Sequence, residues 1–165
     1  MRYHPIPGTD LSPSVICMGG GPLSVEGSSD KLYALLDNFY ALGGTFIDSA
    51  NIYGKWLPNG ENVCDQHIGA WINSRGVRDD VVVTSKGGHP HLDSMTISRL
   101  SKDEVAADLD ESRQALHCDT IDLYYLHRDD ENLPVSMMID YLNDFVSSGK
   151  IRYFGVSNWR IERVE

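Results

Sequence analysis

The segment Val81-Val82-Val83-Thr84-Ser85, which runs into Lys86, decides the fold class. It is short, rich in β-branched residues and free of an alternating polar face. Such segments are typical of strands that are covered on both faces, as in parallel sheets. The segment therefore predicts a buried strand, and a helix is expected to return the chain to the next parallel strand.

Similar segments recur on both sides of this strand. Residues 45–48, 121–126 and 152–156 are short and strand-like, and residues 15–18 lead into a triple-glycine loop. Apolar residues at a spacing of three and four predict helices between the strands. These helical patterns cover residues 32–42, 64–72, 101–116 and 138–146, and residues 159–165 resemble the start of another helix.

Alternating strands and helices indicate an α/β fold with a parallel sheet and outer helices. An open doubly wound sheet and a (β/α)8 barrel both satisfy this pattern. No strand is followed by Gly-x-Gly-x-x-Gly, so the dinucleotide-binding form of the doubly wound sheet loses its main support. Residues 2–16 surround a Pro-Gly-Thr-Asp turn at positions 7–10 and predict a hairpin before the first strand.

The chain has 14 basic and 24 acidic residues and a net charge of −10. This charge argues against nucleic acid or an anionic membrane as the main partner, since both require a basic face. No apolar run is long enough to cross a membrane, and no signal peptide is visible. Cys17, Cys64 and Cys118 form no Cys-x-x-Cys pair, and unpaired thiols fit a cytoplasmic setting.

Four chemically distinct side chains follow the predicted strands. Asp48 ends one strand and Tyr53 lies in the loop after it, while Lys86 and His127 end the next two. Ligands of both architectures bind at the carboxyl ends of the strands. A neighbouring ammonium makes a phenol a better proton donor, and an imidazole can orient a carbonyl oxygen. The set suits protonation of an oxygen while hydride arrives at carbon.

These residues lie in motifs that resemble the aldo-keto reductase family. Asp-Ser-Ala-Asn-Ile-Tyr-Gly at 48–54 is similar to the family's Asp-Thr-Ala-x-x-Tyr-Gly, and Thr-Ser-Lys at 84–86 to its strand-end lysine. Residues 121–127 resemble its Asp-Leu-Tyr-x-x-His segment, and residues 149–158 its Gly-Lys-Ile-Arg-x-x-Gly-x-Ser-Asn segment. The hairpin and the glycine loop after it also look like the family's.

The resemblance implies a (β/α)8 TIM barrel that reduces aldehydes or ketones with NADPH, with NADH left open. It implies that Tyr53 is the proton donor, that Lys86 and Asp48 tune it, and that His127 orients the small-molecule carbonyl substrate. The residues that it assigns to the cofactor are Gly20, Gly21, Ser157 and Asn158.

Three other segments remain as weaker candidates. The His89–Asp93 segment contains metal-ligand residue types, but its spacing favours a solvated or substrate-facing loop, and no metal is expected. Trp56 either lines an apolar substrate wall or packs its own loop. Residues 128–131, Arg-Asp-Asp-Glu, predict a charged, solvated loop whose place beside His127 leaves room for contacts with a polar substrate.

The strand count is lower than a closed barrel requires. A (β/α)8 barrel has eight strands and about 250 residues, and five barrel strands are found here. We therefore expect residues 1–165 to be the N-terminal portion of one barrel domain, without its C-terminal strands and helices, and inactive alone. The family's pyrophosphate and 2′-phosphate contacts lie in the later segments. Unpaired strand edges would allow self-association.

Two alternatives to a complete reductase stay open. One is a non-catalytic, cofactor-sensing or regulatory subunit on the same fold, and the other is an inactive truncated fragment.

Overall fold

The computed structural model describes residues 1–25, 29–59 and 61–165. Five parallel strands form one sheet in the order β1-β2-β3-β4-β5. The strands are β1 (Cys17–Gly19), β2 (Phe46–Asp48), β3 (Val82–Gly87), β4 (Ile121–Leu126) and β5 (Ile151–Val156). The helices are α1 (Ser29–Ala41), α2 (Val63–Arg75), α3 (Lys102–Ala115), α4 (Val135–Ser147) and α5 (Ile161–Val164).

The strand order decides between the two architectures. A doubly wound sheet reverses its strand order at a switch point, whereas here each strand pairs with the next one along the chain. Helices α1 to α4 each connect two neighbouring strands. The structure is therefore a (β/α)8-type barrel segment, incomplete in this chain, as the sequence predicts.

The predicted hairpin is present and lies at the amino ends of the strands. Tyr3 and Ser14 form an antiparallel bridge, and the Thr45 backbone N–H donates to the Ser14 hydroxyl at 3.0 Å. Asp10 accepts from the Arg152 guanidinium at 2.7 Å, so the hairpin is tied to β5. This base leaves the carboxyl ends of the strands open for a site.

Local capping explains where α3 begins. The Ser101 hydroxyl accepts the Glu104 backbone N–H at 3.4 Å and donates to the Glu104 carboxylate at 2.6 Å. The Ser-x-x-Glu spacing of a capping box is thus present, with the glutamate carboxylate bonded to the serine hydroxyl. Helix α3 has 14 residues, whereas a membrane-spanning helix needs about 20. In the described ranges, no helix is long and apolar enough to cross a membrane.

The core fills the space between the sheet and the helices. Fully buried side chains come from every layer, and Trp71 of α2 also donates its indole N–H to Asp37 of α1 at 2.8 Å. Gly69 allows α2 to approach the end of α3 closely, because a Cβ there would collide with the Ala115 carbonyl oxygen and lie 2.6 Å from Leu116 Cα.

We predict that Gly69→Ala destabilises the protein. In an exposed helix this change would add about 1 kcal/mol of stability, but overpacking against fixed backbone costs about 1–3 kcal/mol. Urea unfolding should show a lower midpoint for Gly69→Ala, whereas Asn73→Ala on the exposed side of α2 should not lower it. A higher midpoint for Gly69→Ala would contradict the close approach of the two helices.

Candidate active site

Asp48 and Lys86 meet because β2 and β3 run in parallel register. Asp48 pairs with Thr84, and Lys86 lies two residues further along, on the same face as Thr84. The Lys86 ammonium donates to both Asp48 carboxylate oxygens and to the Ser49 carbonyl oxygen, each at 2.7 Å. The Thr84 hydroxyl donates to Asp48 at 2.7 Å. The Lys86 side chain is only 10% exposed, so nearly all of its charge is balanced inside the site.

Tyr53 lies on top of this ion pair. The Lys86 ammonium is 5.0 Å from the centroid of its ring. Gly54 has a φ of 100°, which favours glycine, and a Cβ there would strike Val63. A Cβ on Gly20 would lie 2.8 Å from the Tyr53 ring. Gly20 thus leaves room for the tyrosine ring, and Gly54 lets the chain turn tightly against Val63 after it. Among the described residues the Tyr53 hydroxyl has no hydrogen-bond partner.

His127 follows β4 and faces the tyrosine. Its ring meets Tyr53 edge to face, with 5.8 Å between centroids and 76° between planes. Its Nδ1 atom is buried and has no hydrogen-bond partner. Burial lowers the pKa of His127 to about 3, and nearby positive charge, including that of Lys86, adds to the shift. The imidazole is therefore neutral near physiological pH.

The residues after β5 lie beside His127. Asn158 has a φ of 62°, and its side-chain amide donates to the His127 carbonyl oxygen at 2.9 Å and to the Ser157 hydroxyl at 3.0 Å. Of the two loop glycines, Gly21 borders open space, whereas Gly20 is buried beneath the tyrosine ring. The structure thus brings Asp48, Tyr53, Lys86, His127, Ser157 and Asn158 to one rim.

A buried carboxyl below the site is missing from the sequence-based candidates. Asp65 of α2 is fully buried and bonds the hydroxyls of Ser49 and Ser85 and, at 2.7 Å, the Asn62 amide. Burial raises the pKa of Asp65. Ser49 follows Asp48 and Ser85 precedes Lys86. The Asp65 carboxyl therefore links the ends of β2 and β3 through its hydrogen bonds. The Asn-x-x-Asp spacing is a helix-capping pattern and was the only sequence signal for it.

The sequence predicts a solvated or substrate-facing loop at residues 89–93, and His89 is not solvated. Its side chain is buried, and its ring lies 4.8 Å from that of His127 in an edge-to-face contact. His91 is exposed, as expected of that loop. Trp56 is 52% exposed, with its ring 6.2 Å from that of Tyr53. Within the described ranges, no three His, Cys, Asp or Glu side chains are arranged to hold a metal.

Comparisons with known proteins agree with this arrangement. The sequence model of the Aldo/keto reductase family matches residues 15–165. The chain is 32% identical over 171 residues to norsolorinic acid reductase B of Aspergillus parasiticus, covering 95% of this chain and 43% of that protein. It is 32% identical over 155 residues to the aldo-keto reductase yakc [NADP(+)] of Schizosaccharomyces pombe, covering 91% and 44%.

The fold is also that of solved structures. An aldo-keto reductase from Bacillus halodurans, in its holo form, superposes with a TM-score of 0.82 at 24% identity, covering 99% of this chain and 52% of that one. The chain spans less than half the length of the two curated relatives.

We predict that His127→Gln makes the protein less sensitive to acid. A histidine that stays neutral when folded, with its pKa lowered from 6.5 to about 3, stabilises the fold above pH 6.5 and loses that contribution as the pH falls. Between pH 8 and pH 5 the loss amounts to about 2 kcal/mol. Urea unfolding at both pH values measures this change. Between pH 8 and pH 5, the free energy of unfolding should fall less in the variant than in the wild type, by this amount. Equal losses would mean that His127 is protonated in the folded protein.

Proposed function

Because the chain belongs to the aldo/keto reductase family, we propose that it carries the catalytic residues of an NAD(P)H-dependent oxidoreductase that reduces an aldehyde or ketone to an alcohol. One observation carries the proposal. The ring of Tyr53, whose hydroxyl is free, contacts both the tightly held Lys86 ammonium and the neutral His127 imidazole.

Tyr53 is the proposed proton donor. Carbonyl reduction requires a proton at oxygen when hydride reaches carbon, and a phenol alone is a weak acid at neutral pH. Lys86 supplies a cation beside the ring, which stabilises the phenolate that remains after proton transfer. Asp48 holds that ammonium with two hydrogen bonds, so the cation stays in place during the reaction. Proton donation by Tyr53 and hydride addition at carbon together yield the alcohol.

His127 is proposed to orient the carbonyl group. A neutral imidazole carries one N–H, and assigning it to Nε2 leaves no buried N–H unpaired at Nδ1. The Nε2–H can then donate to the carbonyl oxygen beside the Tyr53 hydroxyl. A protonated ring would compete with Tyr53 as the acid, and burial prevents this.

NADPH is the proposed cofactor, and it supplies the hydride when it is bound. The residues after β5 suit its carboxamide, because Ser157 offers a hydroxyl and Asn158 an amide that is anchored to the His127 carbonyl oxygen. After β1, a Cβ on Gly21 would meet only open space, and Gly20 lets the loop pack under the tyrosine. The choice of NADPH follows the name of the S. pombe relative, which includes NADP(+).

We further propose that these five strands are the N-terminal part of one eight-stranded barrel, completed by strands outside residues 1–165. The two curated relatives are more than twice as long as the matched region, and the likeness to the B. halodurans structure covers half of that chain. The free thiols of Cys17, Cys64 and Cys118 support a reducing, cytoplasmic setting. The exposed Trp56 ring makes aromatic aldehydes the first substrates to test.

In the complete barrel, we predict that Tyr53→Phe lowers kcat/KM for NADPH-dependent reduction of benzaldehyde by about 10²–10⁴-fold, because it removes the proton donor. The matched control is Tyr40→Phe, whose hydroxyl bonds Asp80 at 2.8 Å and not the site. That variant should stay within a few-fold of the wild type. Circular dichroism checks that both variants keep the fold. Undiminished turnover by Tyr53→Phe would remove the tyrosine from this role.

The 165-residue chain alone is expected to bind NADPH weakly or not at all, since the family resemblance places the phosphate contacts in segments that this chain does not include. Fluorescence titration with NADPH and NADH, on a sample shown to be monomeric by light scattering, tests this. A tight titration selective for the 2′-phosphate would contradict it.

A further inference from the structure

Arg128 follows His127 directly and has no acidic partner. Its guanidinium donates to His89 Nε2 at 3.2 Å, and no carboxylate oxygen of the described residues lies within salt-bridge distance of it. Apart from Arg2 near the amino terminus, every other arginine forms a salt bridge. These paired residues are Arg75, Arg78, Arg99, Arg113, Arg152, Arg160 and Arg163.

The acidic residues next to Arg128 in sequence are engaged elsewhere. Asp129 pairs with Arg163 at 2.8 Å, and Glu131 pairs with Arg160 at 3.3 Å. Asp130 accepts hydrogen bonds from Asn132 at 2.9 and 3.0 Å. In a chain with 24 acidic residues, an arginine beside the reactive groups therefore remains unpaired although three acids follow it.

His89 holds this arginine in place. The Pro90 carbonyl oxygen lies 2.7 Å from His89 Nδ1 and can only accept, so Nδ1 carries the proton. Nε2 is then an acceptor and takes one N–H from Arg128. Burial lowers the pKa of His89, which preserves this neutral acceptor. A guanidinium has five N–H donors, and the remaining ones of Arg128 have no partner among the described residues.

We propose that Arg128, positioned by His89, binds a carboxylate carried by the carbonyl substrate. The proposal rests on the proposed carbonyl reduction and names its substrate class. Tyr53, His127 and His89 form a contiguous row of rings, with 5.8 and 4.8 Å between neighbouring centroids, and Arg128 ends that row. A carbonyl oxygen at Tyr53 and His127 leaves the distal end of the substrate near the guanidinium.

The guanidinium of Arg128, held by His89, favours an oxyanion as its ligand. A guanidinium binds a carboxylate through two parallel, charge-assisted hydrogen bonds. An aromatic ring that carries an aldehyde and a carboxylate on opposite sides can make both contacts, and the exposed Trp56 ring, 6.2 Å from that of Tyr53, offers it an apolar surface. Arg128 is thus a specificity-determining residue and His89 a positioning residue for it.

The first test requires no turnover. Benzoate and benzamide have the same shape and differ in charge, and each is titrated into the protein while the imidazole resonances of His89 and His127 are followed by NMR. Benzoate should shift both resonances and bind at least about 10-fold more tightly than benzamide, and Arg128→Gln should abolish this preference. Arg2→Gln, which removes the other unpaired arginine, should retain it. Equal binding of both probes by the wild type overturns the proposal and requires no variant.

The second test uses the complete barrel with NADPH. Arg128→Gln should lower kcat/KM for 3- or 4-carboxybenzaldehyde at least about 10-fold relative to benzaldehyde, while His89→Phe, which removes the acceptor, should lower the same ratio in part. Retention of the wild-type ratio by Arg128→Gln overturns the assignment of Arg128. If the wild type reduces no aldehyde but still binds benzoate, this result contradicts the proposed reduction and leaves the carboxylate site in place.

Discussion

The Lys86 ammonium is the constraint on which the rest of the site depends. A charge that is nearly removed from water must find its full set of partners inside the protein. The three acceptors of Lys86 all come from the end of β2, so the ion pair fixes the relative position of two neighbouring strand ends. Asp65 braces the same ends from below, and the Tyr53 ring covers the ammonium from above. A shift of either strand would therefore disturb the cation and the phenol together.

Most of the fold could be predicted from the sequence, because parallel strands and amphipathic helices leave strong periodic signals. The prediction was wrong at the edge of β1, where Val15 and Ile16 are 49% and 59% exposed and lie outside the strand. The Val15 backbone N–H bonds the Arg2 carbonyl oxygen at 2.9 Å and so belongs to the hairpin. A run of β-branched residues does not show whether its backbone pairs with the neighbouring strand or with the hairpin.

The residues of the site, too, could be predicted only in part. Asp48, Lys86 and His127 were visible in the sequence because each ends a strand, and the carboxyl ends of parallel strands converge. Thr84 could have been added, since it lies two residues before Lys86 and shares its face. The burial of His89 and Asp65 could not be predicted, because polar residues in loops and first helical turns carry no periodic signal. Their roles arise from packing between segments that are distant in the chain.

The pairing of charges was the least predictable feature, and it gives Arg128 its meaning. In the sequence, an arginine followed by three acids predicts a charged, solvated loop with room for contacts with a polar substrate. In the structure, Arg163 pairs with Asp129, 34 residues before it in the chain, and Arg160 pairs with Glu131, 29 residues before it. At physiological ionic strength, exposed charges more than about 8 Å away are largely screened. The net charge of −10 therefore hinders an anionic substrate mainly during approach, whereas binding depends on the local field at the rim, where Lys86 is neutralised by Asp48 and Arg128 is not neutralised at all.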